Sequence, residues 1–111
     1  MHVLADLMDD VPAELQQQVI DALYIVLSEL KYSGGWDKIR PKTSLLDKDK
    51  PVECWITWMQ NYLSQAIVDC THRTNKTKAL ESLRKIAGLA ITCMMYNDTP
   101  LRSPADVRIE H

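Results

Sequence analysis

Six side chains able to carry positive charge crowd residues 72–85: His72, Arg73, Lys76, Lys78, Arg84 and Lys85, with Glu81 as the acid among them. Lys76 and Lys78 fall where the polar stretch THRTNKTK (71–78) passes into an apolar helical pattern. A helix start there places free backbone N–H groups beside the two lysines, an arrangement that holds phosphate. The default reading of such a cluster is a solvated turn. A second cationic group follows the Gly34-Gly35 pair: Trp36, Lys38 and Arg40, with Lys42 close behind. A tryptophan among cations can stack on a base while the cations grip its phosphate; just past a helix end it also serves as a lid over the core. The candidate ligand-binding residues are therefore Trp36, Lys38, Arg40, Arg73, Lys76, Lys78 and Arg84, and the ligand they fit is anionic and nucleotide-like.

Metal and catalytic sets are thinner. Asp69 and His72 are helix neighbours at i and i+3, with Cys70 between them. Two ligands do not make a site, and His2 and His111 stand near the ends of the sequence, so no metal is expected. Cys54, Cys70 and Cys93 form no C-x-x-C pair and lie in apolar stretches, which reads as reduced thiols packed like small hydrophobes. No G-x-S-x-G, phosphate-binding P-loop or G-x-G-x-x-G occurs. The chain is read as non-enzymatic and without a cofactor. Trp55, Trp58 and Tyr62 are read as core or interface packing.

The elements that must position these groups are helical. Residues 51–72 carry Val52, Trp55, Ile56, Met59, Tyr62, Leu63, Ala66, Ile67 and Cys70 at steps of three and four, one continuous face of a helix. Residues 12–33 repeat the pattern through Leu15, Val19, Leu23, Val26, Leu27 and Leu30, while Ile20, Tyr24 and Ile25 widen the apolar surface past half the circumference. Residues 78–97 have a main face of Leu80, Leu83, Ala87, Ala90, Ile91 and Met94. Gly88 inside that helix costs about 1 kcal/mol relative to Ala, which close approach of another helix would offset. A short helix within 1–9, a charged connection at 36–50 and one helical turn near 103–106 complete the expectation. No alternating run is long enough for a strand. The fold class is all-α, a single domain over 1–111, in which three main helices form a bundle completed by oligomerisation; a homodimer is the simplest form.

Bulk properties agree with this and exclude other classes. The 111 residues are 46% hydrophobic and 25% charged, ordinary for a globular domain and inconsistent with disorder. No apolar run approaches the ~20 residues of a membrane span, and no basic, signal-like N-terminus is seen, so a cytoplasmic protein without a membrane partner is expected. Residues 1–30 hold six acids and no Lys or Arg, whereas residues 31–85 hold eleven Lys/Arg against six acids. Such asymmetry fits head-to-tail self-association or an anionic partner for the basic part. A sequence pI near 5.9 argues against binding duplex nucleic acid.

The helix carrying CWITWMQNYLSQA (54–66), followed by LRKIAGLAITCM (83–94), resembles small helical proteins of bacteriophages and prophages. The layout over about 15–97 is also loosely similar to the MazG-like all-α nucleotide pyrophosphohydrolases, which assemble helical dimers. The first resemblance implies a host-directed or anti-defence role in a host cytoplasm, by sequestering a nucleotide-like ligand or a host protein. The second implies magnesium held by an E-x-x-E pair and a later E-x-x-D. Here Glu14, Glu29, Glu53 and Glu81 each lack an acid three residues on. A divergent pyrophosphohydrolase, using Asp37, Glu53 and Asp69, is the alternative to non-enzymatic binding.

Overall fold

Pro12, Pro51 and Asn75 mark where three long helices start. Proline presets the backbone for a first turn and gives up an N–H that would have no partner there; asparagine supplies a side-chain acceptor for one that would otherwise go unpaired. In the computed structural model, which describes residues 4–33 and 49–102, these signals yield α2 (Ala13–Ser33), α3 (Val52–Thr71) and α4 (Lys76–Tyr96), preceded by the short α1 (Leu4–Asp9). No strand occurs among the described residues. Pro51 stands one position before the helix, at φ −66° and ψ 155°. α4 begins two residues earlier than the apolar pattern indicates, because Asn75 caps it by accepting the Lys78 N–H at 3.1 Å. Most of the 36–50 connection and the turn expected at 103–106 lie outside the described residues.

α4 is the shared element, packing against α3 on one side and α2 on the other. The α3 side is aromatic. Trp55, 2% exposed, meets Trp58 edge-on at 5.1 Å between ring centroids and Tyr96 of α4 at 6.0 Å. The Trp55 indole N–H has no hydrogen-bond partner among the described residues, a cost of about 1–3 kcal/mol. Burying a tryptophan removes roughly 150–250 Å² from water, at about 25 cal/mol per Å² a gain of some 4–6 kcal/mol. Burial wins, and Trp55 anchors the α3–α4 pair. Two turns on from Trp55, Lys85 Nζ lies 5.2 Å from the centre of the Tyr62 ring.

The α2 side is built from an ion pair and small residues. Arg84 Nε donates to Glu29 Oε1 at 2.9 Å, beside the buried Leu30. Gly88 and Thr92 continue the row of Arg84 at steps of four, and both are buried. The Thr92 hydroxyl donates to the Gly88 carbonyl at 2.8 Å, so it is buried with its donor satisfied. Gly88 is buried, as the expected close approach of another helix requires.

The orientation of α4 differs from the expectation. Its buried side is Ala79, Ser82, Gly88 and Thr92, whereas the bulky ends of its main apolar face look outward, with Leu80 63%, Leu83 47% and Met94 48% exposed, and Ala87, Ala90 and Ile91 between them are half-buried. Periodicity locates an apolar stripe; it does not say which neighbour covers it. A helix flanked on two sides turns its small residues to the close contacts, and its bulky stripe is left over. α2 and α3 do the same: Leu15, Ile20, Leu23, Tyr24, Ile25 and Leu27 of α2 are exposed, as are Val52, Ile56, Leu63 and Ile67 of α3. No helix among the described residues is long and apolar enough to cross a membrane.

Gly88→Leu adds a good helix former worth about 1 kcal/mol of propensity and fills the space that a neighbouring helix uses. Overpacking dominates, so a net loss of about 1–3 kcal/mol is expected in urea denaturation. Unchanged or raised stability would show that the row is not a close contact.

Candidate functional site

The reversal between α3 and α4 builds the site. α3 ends with the His72 and Arg73 N–H groups both donating to the Val68 carbonyl, at 2.8 and 3.2 Å. The chain then turns back sharply, and the Asn75 N–H reaches the Asp69 carbonyl at 2.7 Å. That closure requires Thr74 at φ 48°, a left-handed conformation costing a β-branched residue about 1–2 kcal/mol. The Thr74 hydroxyl donates to the Arg73 carbonyl at 2.7 Å. Asn75 then caps α4, which leaves the Lys76 and Thr77 N–H groups at the positive end of a 21-residue helix.

Against this turn lies a cleft of about 400 Å³, within the range of small-molecule sites. Asn61, Ser64, Gln65 and Asp69 line it from α3, Arg73 from the turn and Lys78 from α4. Asn61, Ser64 and Gln65 are exposed and make no side-chain hydrogen bond among the described residues. Asp69 is different: the residue is 8% exposed, its carboxylate has no hydrogen-bond or ion-pair partner among the described residues, and its oxygens keep contact with solvent in the cleft. The cleft therefore offers two cations, three neutral polar side chains, the apolar Val68 and one carboxylate.

Of the residues singled out from the sequence, Arg73 and Lys78 meet in this cleft, and Lys76 opens the adjoining helix. Arg84 lies elsewhere, engaged with Glu29 in a separate polar depression shared with Ser28, Tyr32 and Lys85. Trp36, Lys38 and Arg40 fall outside the described residues. Trp55 is in the core, with Trp58 and Tyr62 half-buried. Sequence reasoning had placed Asp69 in a possible pair with His72, whereas Asp69 turns inward and His72 is exposed at the helix end. The polar series Asn61, Ser64, Gln65 and Asp69 went unused, although its steps of three and four mark one edge of α3.

The acids of the hydrolase alternative do not converge. Glu53 and Asp69 are sixteen residues apart on α3, about 24 Å along the axis at 1.5 Å per residue, and Asp37 is outside the described residues. Among the described residues, no group of three or more His, Cys, Asp and Glu side chains is placed to hold a metal ion. No protein-family model, curated protein or solved structure matches the chain.

The site depends on the cap that fixes the start of α4. Asn75→Ala removes the acceptor for the Lys78 N–H, and a loss of about 1 kcal/mol is expected in chemical denaturation. A variant as stable as the parent would show that the cap does not hold the turn.

Proposed function

We propose that this protein works by binding rather than catalysis, as a self-associated helical scaffold that holds a nucleotide-like anionic ligand in the α3–α4 cleft. The observation that carries the reading is a polar cleft that presents Arg73 and Lys78 together with the Asp69 carboxylate, none of them in an ion pair among the described residues. The two cations and the N-terminus of α4 suit a phosphate. Wide separation of Glu53 from Asp69 supports binding without magnesium-assisted hydrolysis.

Self-association is supported by the apolar stripes left uncovered on α2, α3 and α4. Between α1 and α2 lies an apolar groove of about 470 Å³, lined by Met8, Ile20, Leu23, Tyr24 and Leu27 and edged by Asp9. Large exposed apolar surfaces of this kind mark interaction sites. The acidic first thirty residues and the basic centre make a second copy of the chain an electrostatically suitable cover. In the host-directed setting implied by the likeness to phage proteins, such an assembly withholds a nucleotide from the host.

Calorimetric titration of mononucleotides into the parent and into Arg73→Ala/Lys78→Ala tests the cleft. Each charge-assisted contact to phosphate is worth roughly 1.5–3 kcal/mol, so the double variant is expected to bind at least about tenfold more weakly while keeping its helical circular dichroism. Equal affinity in the two proteins would overturn this placement of the ligand.

A further inference from the structure

We infer that copies of this chain join head to tail, the outer ridge of α4 on one copy seating in the α1–α2 groove of the next. The inference rests on the self-association reading above and adds the two surfaces that meet and their register.

The groove is apolar along its length and acidic at one end. Ile20, Leu23, Tyr24 and Leu27 line it from α2 and Met8 from α1. Asp9 belongs to the end where α1 passes into α2. Gln16, whose side-chain amide donates to the Val11 carbonyl at 3.1 Å, stands at the same end. Residues 1–30 hold six acids and no Lys or Arg, so two such grooves face to face would set like charges together. The matching surface is an apolar ridge with a cation on it.

Charge selects α4 over α3. The exposed stripe of α3 is Val52, Ile56, Leu63 and Ile67, and the charged residues of that helix are the acids Glu53 and Asp69. α4 exposes Leu80, Leu83 and Met94, and the exposed Lys76 lies one turn before Leu80 on the same line. Spacing agrees with this choice. Ile20, Leu23 and Leu27 stand at steps of three and four along the groove, and Leu80, Leu83 and Ala87 stand at the same steps along α4. Helices that share such a repeat interdigitate side by side, as in a coiled coil. Laid parallel with the two triplets in step, the pair sets Lys76 against Gln16, at the end of the groove that holds Asp9. Laid antiparallel, Lys76 would meet the last turn of α2, which carries Lys31. Apolar register and charge thus give the same parallel placement from different residues. The contact is heterologous, since each copy offers a groove on one side and a ridge on another, so the assembly closes as a ring or extends.

The test is sedimentation velocity of the full chain over a concentration series, with Leu27→Asp in the groove and Leu80→Asp on the ridge. These leucines are 58% and 63% exposed, so both variants are expected to fold, which helical circular dichroism checks. The parent is expected to associate, and each variant alone to do so at least about tenfold more weakly, as for loss of an interface anchor. Mixed in equal amounts, the two variants are expected to form a heterodimer that grows no further, because one intact groove and one intact ridge remain. Contacts of groove with groove or ridge with ridge give no such rescue. Lys76→Asp is expected to weaken association and Asp9→Lys/Lys76→Asp to restore it, which decides the matter if a leucine variant does not fold. A parent that associates while either leucine variant matches it, or while the mixture gives no heterodimer, would overturn this contact and leave self-association standing. A folded charge-swapped double variant that does not recover would overturn the parallel placement. A parent that stays monomeric at every concentration would overturn the contact and self-association together.

Discussion

Everything in this molecule depends on α4 being packed from two sides at once. α2 and α3 both lie against it; its buried residues are the small Ala79, Ser82, Gly88 and Thr92, while Tyr96 meets the buried Trp55 of α3 and Arg84 pairs with Glu29 of α2. Small side chains permit close approach of the backbones, and close packing is what dispersion and burial reward. The consequence is geometric. A helix that turns its small residues to two neighbours has no inward place for a stripe of leucine and methionine, so Leu80, Leu83 and Met94 face out. The same constraint leaves much of α2 uncovered. Among the described residues much apolar surface is thus left exposed, and that surface is what supports the proposal of self-association.

The second consequence concerns the cleft. Because α3 and α4 are held together by the aromatic contacts of Trp55 at one end, the turn at the other end can be tight. Thr74 takes a left-handed conformation, the Asn75 N–H returns to the Asp69 carbonyl, and Asn75 caps the next helix. This brings the last turn of α3 and the first turn of α4 around one space, with Asp69 on one wall and Arg73 and Lys78 on the others. Opposite charges left unpaired so near one another are unusual for a purely structural turn, where an ion pair would be the economical solution.

Much of the fold was legible in the sequence. Prolines, the 71–78 polar break and the three-and-four spacing locate α2, α3 and α4 to within two residues at each end, since these are local signals. Facing was not legible. The stripe of Leu80, Leu83 and Met94 looks like a core face by period and is an outer face in the fold, because coverage depends on neighbours that periodicity does not contain. Arg84 belongs to the same basic run as Lys78, yet its partner Glu29 stands 55 residues away, a contact only the tertiary fold reveals. The cleft was half legible: Arg73 and Lys78 stood out by charge and spacing, while Asp69 was noticed for its sequence neighbour His72 rather than for its burial. Trp36, Lys38 and Arg40 lie outside the described residues, so their part in any site rests on sequence alone.

Native mass spectrometry of gently purified protein tests the central claim most directly, because it weighs assembly and cargo together. The expected spectrum is an oligomer of the 12.7 kDa chain carrying a nucleotide-sized extra mass per subunit, which fragmentation identifies. A monomer at bare polypeptide mass, unchanged when a nucleotide is added, would contradict the account.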